Sequence, residues 1–409
     1  MDILIEEYQN RIWSAALVNG RLEGVEVDPA HEAVRWGSVY WAKVKRVDAG
    51  LDAVFVELDE HYDGILYNKD VRVRGKDGAI VKGGDKAIGK MFKPGDMVAV
   101  QAKAAYLPRT HDFELAAEQK SAQMSMDIAI PGRHLIYCPM MDANRISSRI
   151  RKPDMRKALQ TMLDALDDGM KGFILRSSAA DLQTDIIVRE AKILKSIWGE
   201  LQKFFEGNES ALIMAGPDSI QRILSDKAVE PIERIEVVTM DHYKQVEEWC
   251  SVFAPDLVPR VVPIELKDAA KDLALFEYRD VLGQIEGLFQ DYALLPGGGN
   301  LIVQETVALT AIDINKGGDK RSRLAVNVEA AQEIARQVRL RNLGGIIIID
   351  FLKMHSRKEQ DELIRALEKS FDGDPCTVQI HGLTSLGLME VTRKRRTPPL
   401  SERLEGFNI

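Results

Sequence analysis

Cysteine is scarce in this chain of 409 residues, which has only Cys138, Cys250 and Cys376, all far apart. Widely separated cysteines are typical of reduced, mostly buried thiols, whereas zinc sites built on cysteine need close CxxC pairs. The sequence therefore encodes no structural zinc through cysteine.

Long apolar runs are also lacking, because no stretch approaches the roughly 20 residues that span a bilayer. The start, MDILIEEYQNRIW, carries acids where a signal peptide has basic residues, and no small-residue cleavage site follows. We therefore expect a cytoplasmic protein without a membrane segment. Its length predicts roughly two to four folding units.

Basic residues are outnumbered, with a net charge of −8, which argues mildly against a nucleic-acid partner. Phosphate binding depends on local clusters rather than on the total, however. One cluster is RKRR, Arg393 to Arg396. The other comprises Arg133, Arg145, Arg149, Arg151, Lys152, Arg156 and Lys157. Two candidate phosphate-binding patches thus lie in an acidic chain.

The first half of the chain is rich in short strand patterns. In residues 1–30, apolar and polar side chains alternate with period two on both sides of a glycine turn, which predicts a hairpin that needs a partner sheet. Residues 38–104 carry four short strands at the spacing of a small closed β-barrel, for which an OB-type barrel is the economical interpretation.

A Gly/Lys-rich excursion separates the third and fourth barrel strands. Its residues Gly84, Gly89 and Lys90 match the nucleotide-binding pattern GxxxxGK. Met91, however, stands where Ser or Thr must reach a magnesium ion, and no strand-to-helix context surrounds the motif. A solvated barrel loop is the favoured interpretation.

The second half alternates strands with amphipathic helices. The patterns predict a helix over residues 276–289, strands over 301–304 and 307–314, and a helix from about residue 328 to 341. IIIID reads as a fully apolar, buried strand, and Ser356 with Glu359 is spaced as a capping box.

Two of these strands end in an acid, in ALTAIDIN at Asp313 and in GGIIIID at Asp350. Ligands gather at the carboxyl ends of strands in α/β sheets. Both carboxylates, with the amide of Asn315 on the same strand face, would form a hard oxygen site for Mg²⁺ or Mn²⁺ that can hydrolyse phosphodiesters. The alternative is that each Asp only caps a turn or helix.

A basic loop, Lys320, Arg321 and Arg323, adjoins the first acid, and from the pattern alone it makes a metal site and simple caps equally good interpretations. Three segments then closely resemble the catalytic domain of the ribonuclease E/G family: ALTAIDIN, NVEAAQEIARQVRLRNLGGIIIIDFLKM and LGLMEVTRKR. The order of the upstream segments is similar as well, so the resemblance covers essentially the whole chain.

The resemblance implies an α+β multidomain fold. A split RNase H-like scaffold would comprise residues 1–37 and 224–287, with an OB-type RNA-binding barrel at 38–125. An α/β 5′-sensor domain would occupy residues 126–223, and a DNase I-like α/β catalytic domain residues 288–409. The implied activity is metal-dependent endonucleolytic cleavage of single-stranded RNA, in ribosomal RNA precursors or messenger RNA, leaving 5′-phosphate and 3′-hydroxyl ends.

Site roles follow from the same resemblance. Asp313 and Asp350 match the metal-binding aspartates, and Asn315 matches the asparagine that supports them. In the barrel, Phe55 matches an aromatic on which a base stacks, and Lys120 matches a lysine that contacts phosphate. Without the resemblance, a core barrel residue is the favoured interpretation of Phe55, since aromatic residues are enriched in strands.

The resemblance also implies a pocket for the RNA 5′-monophosphate. Arg176 and Ser177 match an Arg-Thr pair that grips it, and Gly132 and Ile136 match residues that line it. Ser385 replaces an expected arginine, which weakens the expectation of strong 5′-phosphate sensing.

Other positions depart from the family pattern. Ile65 stands where a second barrel aromatic is usual, and Val307 replaces a glutamate that would support the metal's outer shell. The family continues into a CxxC zinc link and a small dimerising domain, whereas this sequence ends at PPLSERLEGFNI. We therefore expect a monomer, or a dimer formed without zinc.

Three functions compete at this point. The leading hypothesis is the endoribonuclease. An RNA-binding protein with little catalysis is the second, motivated by Ile65, Val307 and the missing zinc link. The third is a DNA nuclease, which keeps the metal site but changes the substrate.

Overall fold

The computed structural model describes residues 1–29, 32–75, 78–105, 121–148, 150, 152–164, 166, 169–180, 182–266, 273–306 and 308–404. Lys120 and Val307 lie outside these residues. All three cysteines are buried and free, as their spacing predicted. Among the helices in the described ranges, none has the length and apolarity to cross a membrane.

The described residues form strands and helices throughout. The strands are β1 (Asp2–Tyr8), β2 (Arg11–Val18), β3 (Arg21–Val27), β4 (Val39–Asp48), β5 (Ala53–Glu57), β6 (Asp63–Tyr67), β7 (Arg72–Arg74), β8 (Ile80–Lys82), β9 (Met97–Ala102), β10 (Ala122–Ser125), β11 (Ile130–Pro131), β12 (Leu135–Tyr137), β13 (Arg145–Ile146), β14 (Phe173–Leu175), β15 (Ala211–Met214), β16 (Arg234–Val237), β17 (Val261–Pro263), β18 (Tyr292–Leu294), β19 (Asn300–Glu305), β20 (Leu309–Asn315), β21 (Gly345–Asp350), β22 (Val378–Leu383) and β23 (Met389–Arg393). The helices are α1 (Pro153–Asp164), α2 (Thr184–Gln202), α3 (Ser219–Asp226), α4 (Met240–Phe253), α5 (Ala274–Tyr278), α6 (Leu282–Glu286), α7 (Arg323–Leu340), α8 (Arg357–Ser370) and α9 (Leu400–Arg403).

The chain divides into two compact units. The first comprises Met1–Ala30, Ile232–Glu247 and Pro259–Ile409, and the second comprises His31–Pro231 and Glu248–Val258.

The second unit contains a closed five-stranded barrel in the order β4-β5-β6-β10-β9, sealed by pairing of β4 with β9. This confirms the predicted closed barrel. Strand β10 was missed by the sequence pattern, because its four residues AQMS lack β-branched and aromatic side chains. Gly84, Gly89 and Lys90 lie in the connection between β8 and β9, where the described residues form one 3₁₀ turn and no α-helix. The barrel-loop interpretation is confirmed.

The second unit also contains a four-stranded sheet, β11-β12-β14-β13, against which α2 packs. Buried side chains of α2, including Ile187, Ala191 and Leu194, join Leu135 and Phe173 from this sheet in one core. Helix α2 therefore supplies the layer that covers the sheet.

In the first unit, a five-stranded sheet in the order β17-β16-β1-β2-β3 joins distant parts of the chain. β1 pairs in parallel with β16, so the N-terminal strands find the partner sheet that their pattern required. The single helix predicted over residues 276–289 is wrong. Asp280 adopts φ of 55° between α5 and α6, and this left-handed residue breaks the helix.

The other sheet of the first unit has six strands in the order β18-β19-β20-β21-β23-β22. Because it carries the two candidate acids, Asp313 and Asp350, we refer to it as the catalytic sheet. Helices α7 and α8 cover one face and form its core. Helix α7 begins at Arg323, earlier than predicted, because Ser322 caps it by accepting from the Ala325 amide. The predicted capping box of Ser356 and Glu359 is present at the start of α8.

The expectation that the apolar strand IIIID is buried on both faces is wrong, because only one face of β21 is buried. Ile347 and Ile349 are fully buried under the helices, whereas Ile346 is 49% exposed on the opposite face. Within the described residues, the face of the catalytic sheet that carries Ile346 is therefore open. We call it the open face.

Candidate active site

The two candidate catalytic acids lie side by side on the open face. β20 and β21 are parallel, and Asp313 is the direct register partner of Asp350. Neighbouring strands are about 4.8 Å apart, so the two side chains leave the sheet next to each other. Both residues are exposed, and both lie near the carboxyl ends of their strands.

Asn315 holds one of these acids in place. Its Nδ2 donates to Asp313 Oδ2 at 3.2 Å and to Asn300 Oδ1 at 3.3 Å. Asn300 is the cross-strand partner of Asn315 on β19, and the sequence reasoning did not identify it. The amide group of Asn315 therefore orients the Asp313 carboxylate.

A glycine loop between β18 and β19 makes room for this end of the sheet. A Cβ on Gly299 would lie 2.6 Å from the Asn315 carbonyl oxygen, so a side chain there would displace backbone. A Cβ on Gly297 would lie 1.6 Å from Arg321 Nη2. Gly298, by contrast, has no atom of the described residues within 4 Å of a Cβ and is required by its φ of 100°. The glycines of PGGGN are thus explained by close packing at Gly297 and Gly299 and by a left-handed backbone at Gly298.

The chain after Asp350 is also fixed. Asn327 is fully buried on α7, and its Nδ2 donates to the Leu352 carbonyl at 2.7 Å. The Leu352 amide donates back to Asn327 Oδ1 at 3.1 Å. This pair of bonds anchors the loop that follows the second acid. No sequence pattern indicates it, because Asn327 reads as an ordinary polar helix position.

The three residues of the basic loop, Lys320, Arg321 and Arg323, differ in how free they are to bind phosphate. Arg321 is held by Asp319 at 2.5 Å and Glu329 at 2.6 Å, and hydrogen bonds from Arg321 lower the pKa of Asp319. Arg323 Nη1 donates to His355 Nε2 at 3.0 Å, while Lys320 is exposed. Arg321 therefore has a structural role, which leaves Lys320 better placed for phosphate.

The donor set suits a hard divalent ion that keeps part of its water shell. Two adjacent carboxylates with an amide beside them supply oxygen ligands of the kind that Mg²⁺ and Mn²⁺ accept. Among the described residues, no group of three or more His, Cys, Asp and Glu side chains could hold a metal ion. A site built on Asp313 and Asp350 would therefore have to be completed by water and substrate oxygens.

The candidate 5′-phosphate pocket lies in the second unit, where Arg176 is already engaged. Its Nη1 donates to the Gly132 carbonyl at 3.2 Å, and its Nη2 donates to the Ser225 carbonyl at 2.9 Å. Asp226 forms an ion pair with it at 3.5 Å. Arg176 and Gly132 are thus brought into contact, with a carboxylate next to the guanidinium.

Gly132 has a packing role of its own. A Cβ there would lie 2.1 Å from Glu190 Oε1, which accepts from the His134 and Leu135 amides. Burial raises the pKa of Glu190. Ile136 is half-buried on β12, directly opposite Ile174 of β14.

The remaining pocket residue, Ser177, begins a 3₁₀ turn directly after β14. It therefore follows Arg176 at the end of the strand, where the resemblance requires an adjacent hydroxyl.

Phe55 lies on the outside of the barrel. Val54 and Val56 on either side of it are fully buried, whereas Phe55 is half-buried and points the other way. The Arg46 guanidinium lies 3.7 Å from its ring centroid. The core interpretation of Phe55 is therefore wrong, and an aromatic with a cation on its face is presented outward.

Each of the two basic clusters loses one buried arginine to an ion pair in the structure. Arg393 is 3% exposed and pairs with Asp374 at 3.1 Å. Arg133 is 7% exposed and pairs with Asp256 at 2.6 Å. These two arginines serve the fold, which sequence clustering could not distinguish from phosphate binding.

The chain is similar to known ribonucleases. Residues 129–396 match the model of the Ribonuclease E/G family. Ribonuclease G of Salmonella typhimurium (strain SL1344) is 27% identical over 407 residues, which cover 96% of this chain and 80% of that protein. Ribonuclease G of Escherichia coli (strain K12) is 27% identical over 406 residues, with coverage of 96% and 80%. Ribonuclease E of Nostoc sp. (strain PCC 7120 / SAG 25.82 / UTEX 2576) is 28% identical over 404 residues, and this chain spans 55% of its length.

The match to the family model extends over residues that include both acids, Asn315 and the helix between the two acidic strands. This chain therefore belongs to the ribonuclease E/G family, a family of endoribonucleases.

Proposed function

We propose that this protein cleaves single-stranded RNA endonucleolytically with a divalent metal ion, leaving 5′-phosphate and 3′-hydroxyl ends. The observation that carries the proposal is the register pairing of Asp313 with Asp350 on an open face of the sheet. Two exposed like charges held side by side are costly unless a cation joins them. A cation at that position is a site for a phosphodiester.

Asp313 and Asp350 would hold the ion, which we propose to be Mg²⁺ with Mn²⁺ as an alternative. When bound, the ion would activate water and stabilise the charge that builds on phosphorus. Asn315 would keep the Asp313 carboxylate oriented toward the ion, since an outer hydrogen bond of this kind fixes a ligand's geometry. Lys320 and Arg323 lie at the start of α7 and would attract the RNA backbone.

We infer that the barrel is of the OB type and binds RNA. Its strand order and the parallel pairing of β6 with β10 support this assignment. Phe55 with Arg46 would stack a base on the outer barrel surface. Lys120 remains a candidate phosphate contact.

The other domain assignments are proposals of the same kind. Pairing of β1 with β16 supports a split RNase H-like scaffold. The catalytic sheet with two helices on one face supports a DNase I-like domain. The sheet containing β12 and β14 would be the 5′-sensor, in which Gly132, Ile136, Arg176 and Ser177 remain the candidate phosphate contacts.

The test is cleavage of a labelled single-stranded RNA by Asp313→Asn and Asp350→Asn. Each change removes a ligand charge, so we expect a loss of roughly 1,000-fold or more in kcat/KM, with RNA binding largely retained. Asp361→Asn on the exposed side of α8 makes the same chemical change away from the site and should cleave normally.

Two further samples separate the competing functions. Chelator in place of Mg²⁺ should stop cleavage, and a DNA strand of the same sequence should remain uncut. Undiminished cutting by both aspartate variants would refute the site. Binding without any product would instead favour an RNA-binding protein.

A further inference from the structure

Two exposed apolar side chains lie on the open face near the acids. Tyr292 is 49% exposed and Leu294 is 71% exposed. Both belong to β18, the edge strand of the catalytic sheet. Contiguous exposed apolar surface is a feature of ligand and protein contact sites.

The strand register ties these residues to the acids. Tyr292 pairs with Ile302, and Ile302 pairs with Asp313. Directly paired residues project from the same face, so Tyr292 and Asp313 lie in one row. At the usual spacing of strands, two steps across the sheet place their Cα atoms about 10 Å apart.

Leu294 lies in the next row, level with Asn315. Leu294 pairs with Asn300, and Asn300 pairs with Asn315. The intervening residue of β18, Ala293, is 8% exposed and packs in the core under the helices. The fold therefore uses Ala293 for packing and leaves Tyr292 and Leu294 available.

We propose that Tyr292 and Leu294 form a platform for a nucleobase that flanks the scissile phosphate. The inference rests on the proposed function, because a phosphate at the acids carries the RNA chain across this face. A base attached near that phosphate can reach a surface about 10 Å away along the row. The platform carries no charge, and an aromatic ring beside an aliphatic group stacks any base without reading its sequence.

The experiment measures cleavage of single-stranded RNA substrates that lack one base at each position around the cut. In the wild-type protein, one such abasic substitution should lower kcat/KM by roughly 10-fold, since base stacking on an aromatic contributes this much. The Tyr292→Ser/Leu294→Ser variant should cut the intact substrate roughly 10-fold more slowly. For this variant, removing the base at the platform position should not lower kcat/KM further.

Two control variants sharpen the test. Tyr292→Phe keeps the ring and should behave like the wild type. Tyr278→Ser removes a tyrosine that is 73% exposed on α5 of the same unit, and it should retain the full abasic effect.

Four outcomes would overturn the platform. One is an abasic effect that persists undiminished in the double serine variant. Another is a change in molar mass by light scattering without loss of the abasic effect, which would show that a second copy of the chain covers this face. A wild-type protein that cuts no RNA with Mg²⁺ would refute the proposed function, and the platform with it, whereas normal cutting with no base dependence refutes the platform alone.

Discussion

The bond from Asn315 to Asp313 provides a test of how the site is organised. In Asn315→Ala, the Asp313 carboxylate loses the donor at 3.2 Å and becomes free to rotate. A hydrogen bond to a charged group contributes about 1.5–3 kcal/mol when buried. Both residues are exposed here, so we expect the lower part of that range or less.

A loss of about 1.4 kcal/mol corresponds to a tenfold weaker interaction. Since Asn315 acts through a metal ligand, we expect the concentration of Mg²⁺ at half-maximal cleavage to rise about tenfold, within the range known for such supporting residues. The maximal rate at saturating Mg²⁺ should be much less affected.

The assay is a Mg²⁺ titration of RNA cleavage by the wild type, Asn315→Ala and Asn300→Ala. Asn300 accepts from the same amide, and among the described residues it forms no hydrogen bond with Asp313 itself, so its variant should shift the titration less. An unchanged Mg²⁺ midpoint in Asn315→Ala would refute the positioning role. A rate that stays low at every Mg²⁺ concentration would show that Asn315 acts on the reaction itself.

Three other predictions follow from the geometry. Burial raises the pKa of Glu6 from its ordinary value near 4.5 to about 7. The folded state therefore holds a proton that the unfolded state releases, and stability falls as pH rises through this interval. Relative to Glu6→Gln, the wild-type free energy of unfolding in urea should drop by up to about 3 kcal/mol between pH 4.5 and pH 8, and parallel pH profiles would contradict this. Phe55→Ala should weaken single-stranded RNA binding roughly 10-fold, as measured by fluorescence anisotropy. Arg46→Ala keeps the aromatic ring of Phe55 intact and should therefore have a smaller effect. Because Asp226 already pairs with Arg176, 5′-monophosphorylated and 5′-hydroxyl RNA should be cut at similar rates, and Asp226→Asn should increase the preference for the monophosphate; a strong preference in the wild type would contradict this.

Local patterns foretold much of the fold. Period-two alternation located the barrel and sheet strands, and the spacing of Ser356 and Glu359 located the start of α8. The errors came where local signals are weak or ambiguous. β10 is too short and too poor in strand-forming residues, and the break at Asp280 depends on one left-handed residue inside an apolar pattern.

For the candidate site, too, local patterns were useful for some residues and misleading for others. Strand ends in the sequence pointed to Asp313, Asn315 and Asp350, because an apolar run that stops at a polar residue is a local feature. Clusters of basic residues were less informative. Arg321 and Arg393 read as phosphate contacts, yet each pairs with carboxylates in the fold.

The sequence by itself determined most of the elements, the acids at the strand ends and the family resemblance, since these depend on residue order and periodicity. Only the tertiary structure decided that Asp313 and Asp350 are register partners, and that Tyr292 shares their face of the sheet. The physical reason is that strand register depends on contacts between residues far apart in the sequence, and it is set when one face of the sheet is buried under α7 and α8. Every second side chain of those strands then projects from the other face, where the acids and the proposed platform lie.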